Sequence, residues 1–296
     1  MTKSKPFLKR LAWPVLSSLS TLLLFLAGCS SSISPTYLTE DISSAIQDIC
    51  KSEYGLEVRV KLVGGTLWIF LPVEDMFTKS ESLEKYAERF NVDYTQGEFK
   101  EGLLKMDYLI RSVPETTKPS GYKYDKPVLE KINNVWKVLR RVIFSTDHSK
   151  ASSPQFFCLV TADIKNGFQI QDLFYSLDLK KVSYEFISWN EYQHRSIQET
   201  RVSPYIVGDK EGLHINYRDI TMEEFLSKQI AHRIKLKFQR PEVEKNADID
   251  KEIYKIIVHT FKIYNFKDFA AVELNNLLTR DKAVLSKADI LSGFTN

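Results

Sequence analysis

Cysteine is scarce in this chain, three among 296 residues. That count excludes a disulfide-stapled scaffold, and without a Cys-x-x-Cys pair the zinc-ribbon and dithiol redox classes have no foothold. Histidine is scarce too, five in all, and no His-Glu-x-x-His pair marks a zinc-protease helix. With 11 glycines the chain still has no Gly-x-Gly-x-x-Gly or Walker pattern. Gly64-Gly65 reads as a hairpin turn, not a phosphate cradle. A Gly-x-Ser-x-Gly nucleophile elbow is missing as well. Charge of one sign is also lacking: 41 basic side chains face 38 acidic ones, a formal net of +3. No apolar stretch beyond the first 30 residues approaches the roughly 20 residues that cross a bilayer core.

What is present begins with a leader. Lys3, Lys5, Lys9 and Arg10 make a positive segment without an acidic neighbour, followed by an apolar run from Leu11 to Leu26 and then Leu26-Ala27-Gly28-Cys29. This arrangement resembles the lipobox and signal of bacterial lipoprotein precursors. The resemblance implies cleavage before Cys29 and acylation of that cysteine, with Ser30-Ser31-Ser32 as the start of a polar tether. A retained membrane anchor is the competing reading, although Pro14, Ser17, Ser18 and Ser20 interrupt the run. The expected organisation is therefore a signal peptide over 1–28, a lipidated tether over 29–36 and a globular body over 37–296. Lipid anchoring implies a cell-envelope location, with the membrane as one partner. Ser30 after the cysteine favours, by analogy with such lipoproteins, the periplasmic face of an outer membrane where a cell has one. The tether from Ser30 to Thr36 reaches only about 25 Å at roughly 3.5 Å per residue, which holds the body close to the lipid.

Four of the 41 basic side chains lie in the leader, which leaves 37 against 38 acidic ones in the remainder. The basic balance thus belongs to the signal, and nucleic-acid binding has no support from charge. Hydrophobic residues at 43% and charged ones at 27% suit a folded body with a sizeable core.

The body patterns as mixed helix and hairpin. Thr39 is placed to cap a helix in which Ile42, Ala45, Ile46, Ile49 and Cys50 recur at helical spacing, and Gly55 ends it. Val58, Val60 and Leu62 alternate with charged residues, Gly64-Gly65 turns, and Thr66 to Leu71 returns until Pro72. A strand is expected over 103–112, paired with Val92 to Phe99, while helices compete for 81–90 and 103–112. Pro114 to Tyr124 reads as a loop, the place for a domain boundary if the body divides near 114–125. Residues 127–144 carry the strongest helical stripe, from Val128 to Ile143, with Lys131, Lys137, Arg140 and Arg141 largely off it.

Phe156 to Ala162 is apolar on both faces, as a central strand is. Helical or mixed turns are expected over 168–192, a short strand at Leu213–Tyr217, and a capping box at Thr221-Met222-Glu223-Glu224 opening a helix. Ile234, Leu236 and Phe238 alternate as a strand ended by Pro241. A helix over 248–264 and a closing hairpin of Ala271–Leu277 with Ala283–Leu285 follow. The fold class expected is α+β, helices packed on a largely antiparallel sheet, with helix-then-hairpin units at both ends of the body.

Candidate chemistry is sparse. Asp163 stands where the central strand emerges, a place that suits a catalytic carboxylate and equally suits an aspartate binding its own turn. His148, His194, His214, His232 and His259 are scattered without metal-ligand spacing, so neither a metal nor another cofactor is expected. Cys50 and Cys158 remain beside Cys29; they can form one bridge in an oxidising envelope, or sit as small buried hydrophobes. Trp189-Asn190-Glu191-Tyr192-Gln193-His194-Arg195 mixes rings with hydrogen-bonding groups, as a glycan or peptide surface does and as a core edge does. The leading expectation is a non-enzymatic scaffold or binding module for an envelope protein or cell-wall polymer. An envelope hydrolase, with carboxylates assembled only by folding, is the alternative.

Overall fold

The computed structural model describes residues 37–38, 41–147, 154–239 and 243–293, with the backbone but not the side chains at 38, 80–88, 115–121 and 146–147. The leader, Cys29, Thr39, His148 and Pro241 lie outside these residues.

The architecture is α+β, with mostly antiparallel strands in mixed sheets. Strand β1 (Tyr37–Leu38) leads to helix α1 (Ile42–Tyr54), which buries Ile42, Ile46, Ile49 and Cys50 on one stripe. Gly55 at φ 63° closes it, its own N–H and that of Leu56 reaching back to Lys51 and Cys50. Strands β2 (Arg59–Val63) and β3 (Thr66–Val73) then form the expected hairpin. At its turn Gly64 has φ 57°, and a Cβ there would collide with the Asp219 carboxylate that accepts from the Gly65 N–H. Pro72 does not end the return strand, which continues to Val73 in register with Asp163.

The next 48 residues form one long hairpin, β4 (Phe77–Lys100) and β5 (Leu103–Tyr124), turning at Glu101-Gly102. Both helical readings give way to strand here, and so does the loop expected over Pro114 to Tyr124. The physical reason is position. Strand β10 (Ala271–Asn276) pairs with β5 only from Leu103 to Tyr108, so beyond it β5 has β4 alone beside it in the sheet. Pro114 falls opposite a register shift and Pro119 faces only Lys85, places where a missing N–H costs no second ladder.

Helix α2 (Lys126–Phe144) follows, then β6 (Thr146–Asp147), β7 (Phe156–Asp163) and β8 (Phe168–Tyr175). Helix α3 (Ser176–Ser183), helix α4 (Trp189–Arg195) and β9 (Ile197–Val202) come next. The mixed turns expected from residue 168 are therefore a strand and two short helices. Both faces of β8 are covered, which blurs the alternation that marks a strand with one wet face. The strand expected at Leu213–Tyr217 is irregular instead, because Asp209 gathers the N–H groups of Glu211, Leu213 and His214 into turns.

Helix α5 (Met222–Phe238) overturns the strand expected over Ile234 to Phe238. Ile230, Ile234 and Phe238 are buried at four-residue spacing, and half-buried Leu236 supplied the accidental alternation. Thr221 caps the helix through the Glu224 N–H, while the Glu224 carboxylate grips Arg218 and so does not close a box. Gly97 of β4 lets this helix approach, since a Cβ would lie 2.9 Å from the Ser227 carbonyl. Helix α6 (Ile249–Tyr264), the β10–β11 (Lys282–Ser286) hairpin and helix α7 (Lys287–Ser292) complete the chain, giving the helix-then-hairpin order at both ends.

The five-stranded sheet runs β2-β3-β7-β8-β9, parallel only between β3 and β7, and the four-stranded sheet β11-β10-β5-β4, parallel only between β10 and β5. β7, buried throughout, divides the interior. Phe157 and Leu159 face the cluster under α1 and α2, and Phe156, Cys158, Val160 and Ala162 face the cluster shared with α5, α6 and the second sheet. None of the helices among the described residues is long and apolar enough to cross a membrane.

Candidate functional site

A groove of about 1150 Å³ opens between α2 and α4, across strands β8 and β9. Its wall is a row of rings. Trp136 of α2 meets Phe174 of β8 edge-on at 4.3 Å between centroids, Phe174 stacks on Tyr192 at 5.8 Å, and Tyr192 meets Trp189 at 5.3 Å. Local spacing sets part of this row: Trp136 is the half-buried member of the α2 stripe, and Trp189 and Tyr192 share a face of α4 at three-residue spacing. α4 starts at Ser188, whose hydroxyl accepts the Glu191 N–H, and is held from below by Arg195. The Arg195 guanidinium lies 2.8 Å from Asp178, which also accepts from the Tyr264 hydroxyl at 3.0 Å. Asn133, Asn134, Gln193 and Gln198 supply amides around the rings, and Lys137 and Arg140 supply positive charge.

One carboxylate of this groove stands out. Asp172 on β8 faces Gln198 across the β8–β9 ladder and accepts from its amide at 2.9 Å. Burial pushes its carboxyl up to about 6, and the single amide offsets only part of that. Tyr124 beside it is pushed up to about 12, by burial first and by Asp172 second. His232, which also lines the groove, is held down at about 4, by burial first and then by Lys235 and Arg233.

Asp163, the catalytic candidate read from sequence, is elsewhere and committed. It is 3% exposed and accepts from the N–H groups of Met76, Lys165 and Asn166 at 2.8, 3.1 and 2.9 Å, and from the Asn166 side chain at 3.0 Å. Burial raises its pKa, but these donors outweigh burial and hold the carboxyl below the ordinary range. It lines none of the described grooves and serves its own turn.

The bridge between Cys50 and Cys158 is not formed; both thiols are free and buried. Cys50 points into the cluster under α1 and α2, and Cys158 into the cluster on the opposite face of the sheet, so β7 itself separates them. Burial raises both thiols, Cys50 to about 11, which leaves neither as a nucleophile. Of the histidines, His194 and His232 line the groove, His259 shares a shallow neighbouring depression with His194, and His214 binds Asp209 at 3.1 Å. Among the described residues no group of three or more His, Cys, Asp or Glu side chains is placed to hold a metal.

The segment from Trp189 to Arg195 divides between its two readings. Arg195 belongs to the interior, Tyr192 is buried with its ring still part of the groove wall, and Trp189, Gln193 and His194 line the groove beside it. Asp172 was not singled out by sequence, where it is one polar residue in a strand of mixed pattern. Its one signal is an acidic side chain between Ile170 and Phe174 on a buried face. Compared with family models, curated proteins and solved structures, the chain matches none, and the groove carries the functional argument.

Proposed function

We propose that the protein is a lipid-anchored envelope component without catalytic activity, and that the groove between α2 and α4 holds a strand of cell-wall polymer close to the membrane. The observation carrying this reading is the row Trp136, Phe174, Tyr192 and Trp189 within an open groove of about 1150 Å³. Ring faces suit the apolar C–H faces of sugars, and amides at their edges suit acetamido groups and hydroxyls. Lys137 and Arg140 suit carboxylates carried by a wall polymer.

The anchor is acylated Cys29, in the envelope and by preference on the periplasmic face of an outer membrane. Its support is the basic leader and the Leu26-Ala27-Gly28-Cys29 box. Recovery of a Cys29→Ala variant in the membrane fraction at unchanged processing size overturns it. For the groove, the mature protein is co-sedimented with isolated cell wall. Binding that falls at least tenfold in Trp136→Ala/Trp189→Ala supports the reading, and binding that is absent or unchanged in that variant overturns it.

Asp172 favours a second reading, an envelope hydrolase. A carboxyl poised near 6 in a cleft can donate a proton near neutrality. Release of soluble fragments from cell wall, lost in Asp172→Asn, selects the hydrolase over the binding module.

A further inference from the structure

Beside the point where the tether enters the body, three aromatic rings face outward. Strand β1 pairs in parallel with β6, Tyr37 alongside Thr146, and the Tyr37 N–H donates to the Ser145 carbonyl at 3.1 Å. The entry of the chain is thereby fixed against the end of α2, whose last residue is Phe144. The Phe144 ring lies 5.4 Å from Tyr184 and Tyr184 lies 6.5 Å from Phe186, with exposures of 37%, 64% and 79%. Single exposed apolar residues are ordinary, but a contiguous aromatic patch is not.

The local backbone makes the exposure more telling. Helix α3 closes as a Schellman motif. The Phe186 N–H reaches the Lys181 carbonyl, the Glu185 N–H reaches Val182, and Glu185 takes the left-handed conformation at φ 62°. Glycine is the usual residue at that position, and a glutamate there costs about 1 kcal/mol of strain. The apolar residue after it ordinarily folds back on the helix. Phe186 instead stays exposed beside Tyr184, so the strained turn displays both rings rather than sheltering them.

We infer that Phe144, Tyr184 and Phe186 form a membrane-resting patch, which seats the body on the bilayer headgroups beside its own anchor. The inference rests on the lipid-anchor reading. Aromatic rings settle at the boundary between headgroups and acyl chains, and a body tethered within about 25 Å of the lipid meets that boundary continuously. Tether and patch then act as two linked contacts, the acyl chains supplying attachment and the rings fixing which side of the body faces the membrane.

The test uses the acylated protein purified from membranes and reconstituted into phosphatidylethanolamine–phosphatidylglycerol vesicles, with and without brominated acyl chains. Phe186→Trp places a reporter at the patch without emptying a core site. Flotation reads the anchor alone, and quenching of the emission that Phe186→Trp adds over the unsubstituted protein reads the patch. Flotation with that added emission falling at least twofold in brominated vesicles is the expected result. Flotation with the added emission unchanged overturns the patch and leaves the anchor standing. A chain that does not float overturns both.

Discussion

Asp163 and Asp172 lie on neighbouring antiparallel strands, β7 and β8, and both are penalised by burial, yet their carboxyls move in opposite directions. Asp163 sits at the end of its strand, where the chain turns and three backbone N–H groups converge on it. Asp172 sits within its strand, where the backbone donors are spent on the ladder and only the Gln198 amide remains. The difference is a count of donors. A strand end supplies them from its own turn, so an aspartate there is more easily structural than it looks. A strand interior supplies none, so a half-buried carboxylate there stays unsettled and chemically available.

The largest effect should come from breaking the satisfied side of this pair. Asp163→Ala removes the acceptor for Met76, Lys165 and Asn166 together, and Met76 is the buried link between β3 and β4. At about 1–3 kcal/mol for each buried orphan, less where the turn can reach water, a loss of roughly 3–4 kcal/mol is expected in urea unfolding at pH 7. The pH sign follows from the lowered pKa. The contribution of Asp163 is present above the ordinary aspartate value and is lost as pH falls through its depressed one. The cost of Asp163→Ala should therefore shrink in strong acid. A cost below about 1 kcal/mol at pH 7 would show that the four donors do not decide its state.

Asp172→Asn should act in the opposite direction. A carboxyl raised from 3.8 to about 6 favours its protonated form in the folded protein, so its ionisation costs stability as pH rises through about 4 to 6. The neutral amide avoids that cost. A gain of about 1–2 kcal/mol is expected at pH 7, reduced from the full shift because the groove is open to water, and no gain below about pH 4. Melting temperatures at the two pH values read it directly. Destabilisation at pH 7 would mean that Asp172 has a cationic partner in solution and that the contrast with Asp163 is false.

Much of this fold was legible wherever one face of an element is wet. α1, α2, α6, the β2–β3 hairpin and the closing β10–β11 hairpin follow from periodicity and turn residues, because core and solvent impose a contrast on them. Where that contrast is missing, only an unbroken apolar run such as that of β7 stays legible. β8 is covered on both sides, and Ile234 to Phe238 alternates only because Leu236 lines the groove wall. The polar length of β5 is strand because β4 pairs with it, a long-range partner that no local window contains. The groove was half legible. Trp189 to Arg195 announced a polar aromatic segment, but its union with Trp136 and Phe174 depends on three separate elements. The two cysteines show the same limit: helix-on-sheet packing was foreseeable, but not which side of β7 each thiol would take.

The smallest effect on stability, and the sharpest on function, should come from Trp189. Tyr192 and Trp189 belong to one ring row, yet Tyr192 is buried while more than half of the Trp189 surface is open. Removing the exposed ring by Trp189→Ala leaves no cavity, since its main neighbour is the face of Tyr192 at 5.3 Å. Stability should stay within about 0.5 kcal/mol, as for surface substitutions in general. Cell-wall co-sedimentation should nonetheless weaken about tenfold, the equivalent of ~1.4 kcal/mol, as expected for an aromatic contact made only with ligand. Trp189→Phe keeps a ring on the same face and should recover part of that loss. The pairing with Asp172→Asn separates the two readings of the groove: a binding module loses affinity with Trp189 and keeps it with Asp172→Asn. A hydrolase loses fragment release with Asp172→Asn while the protein still sediments with the wall.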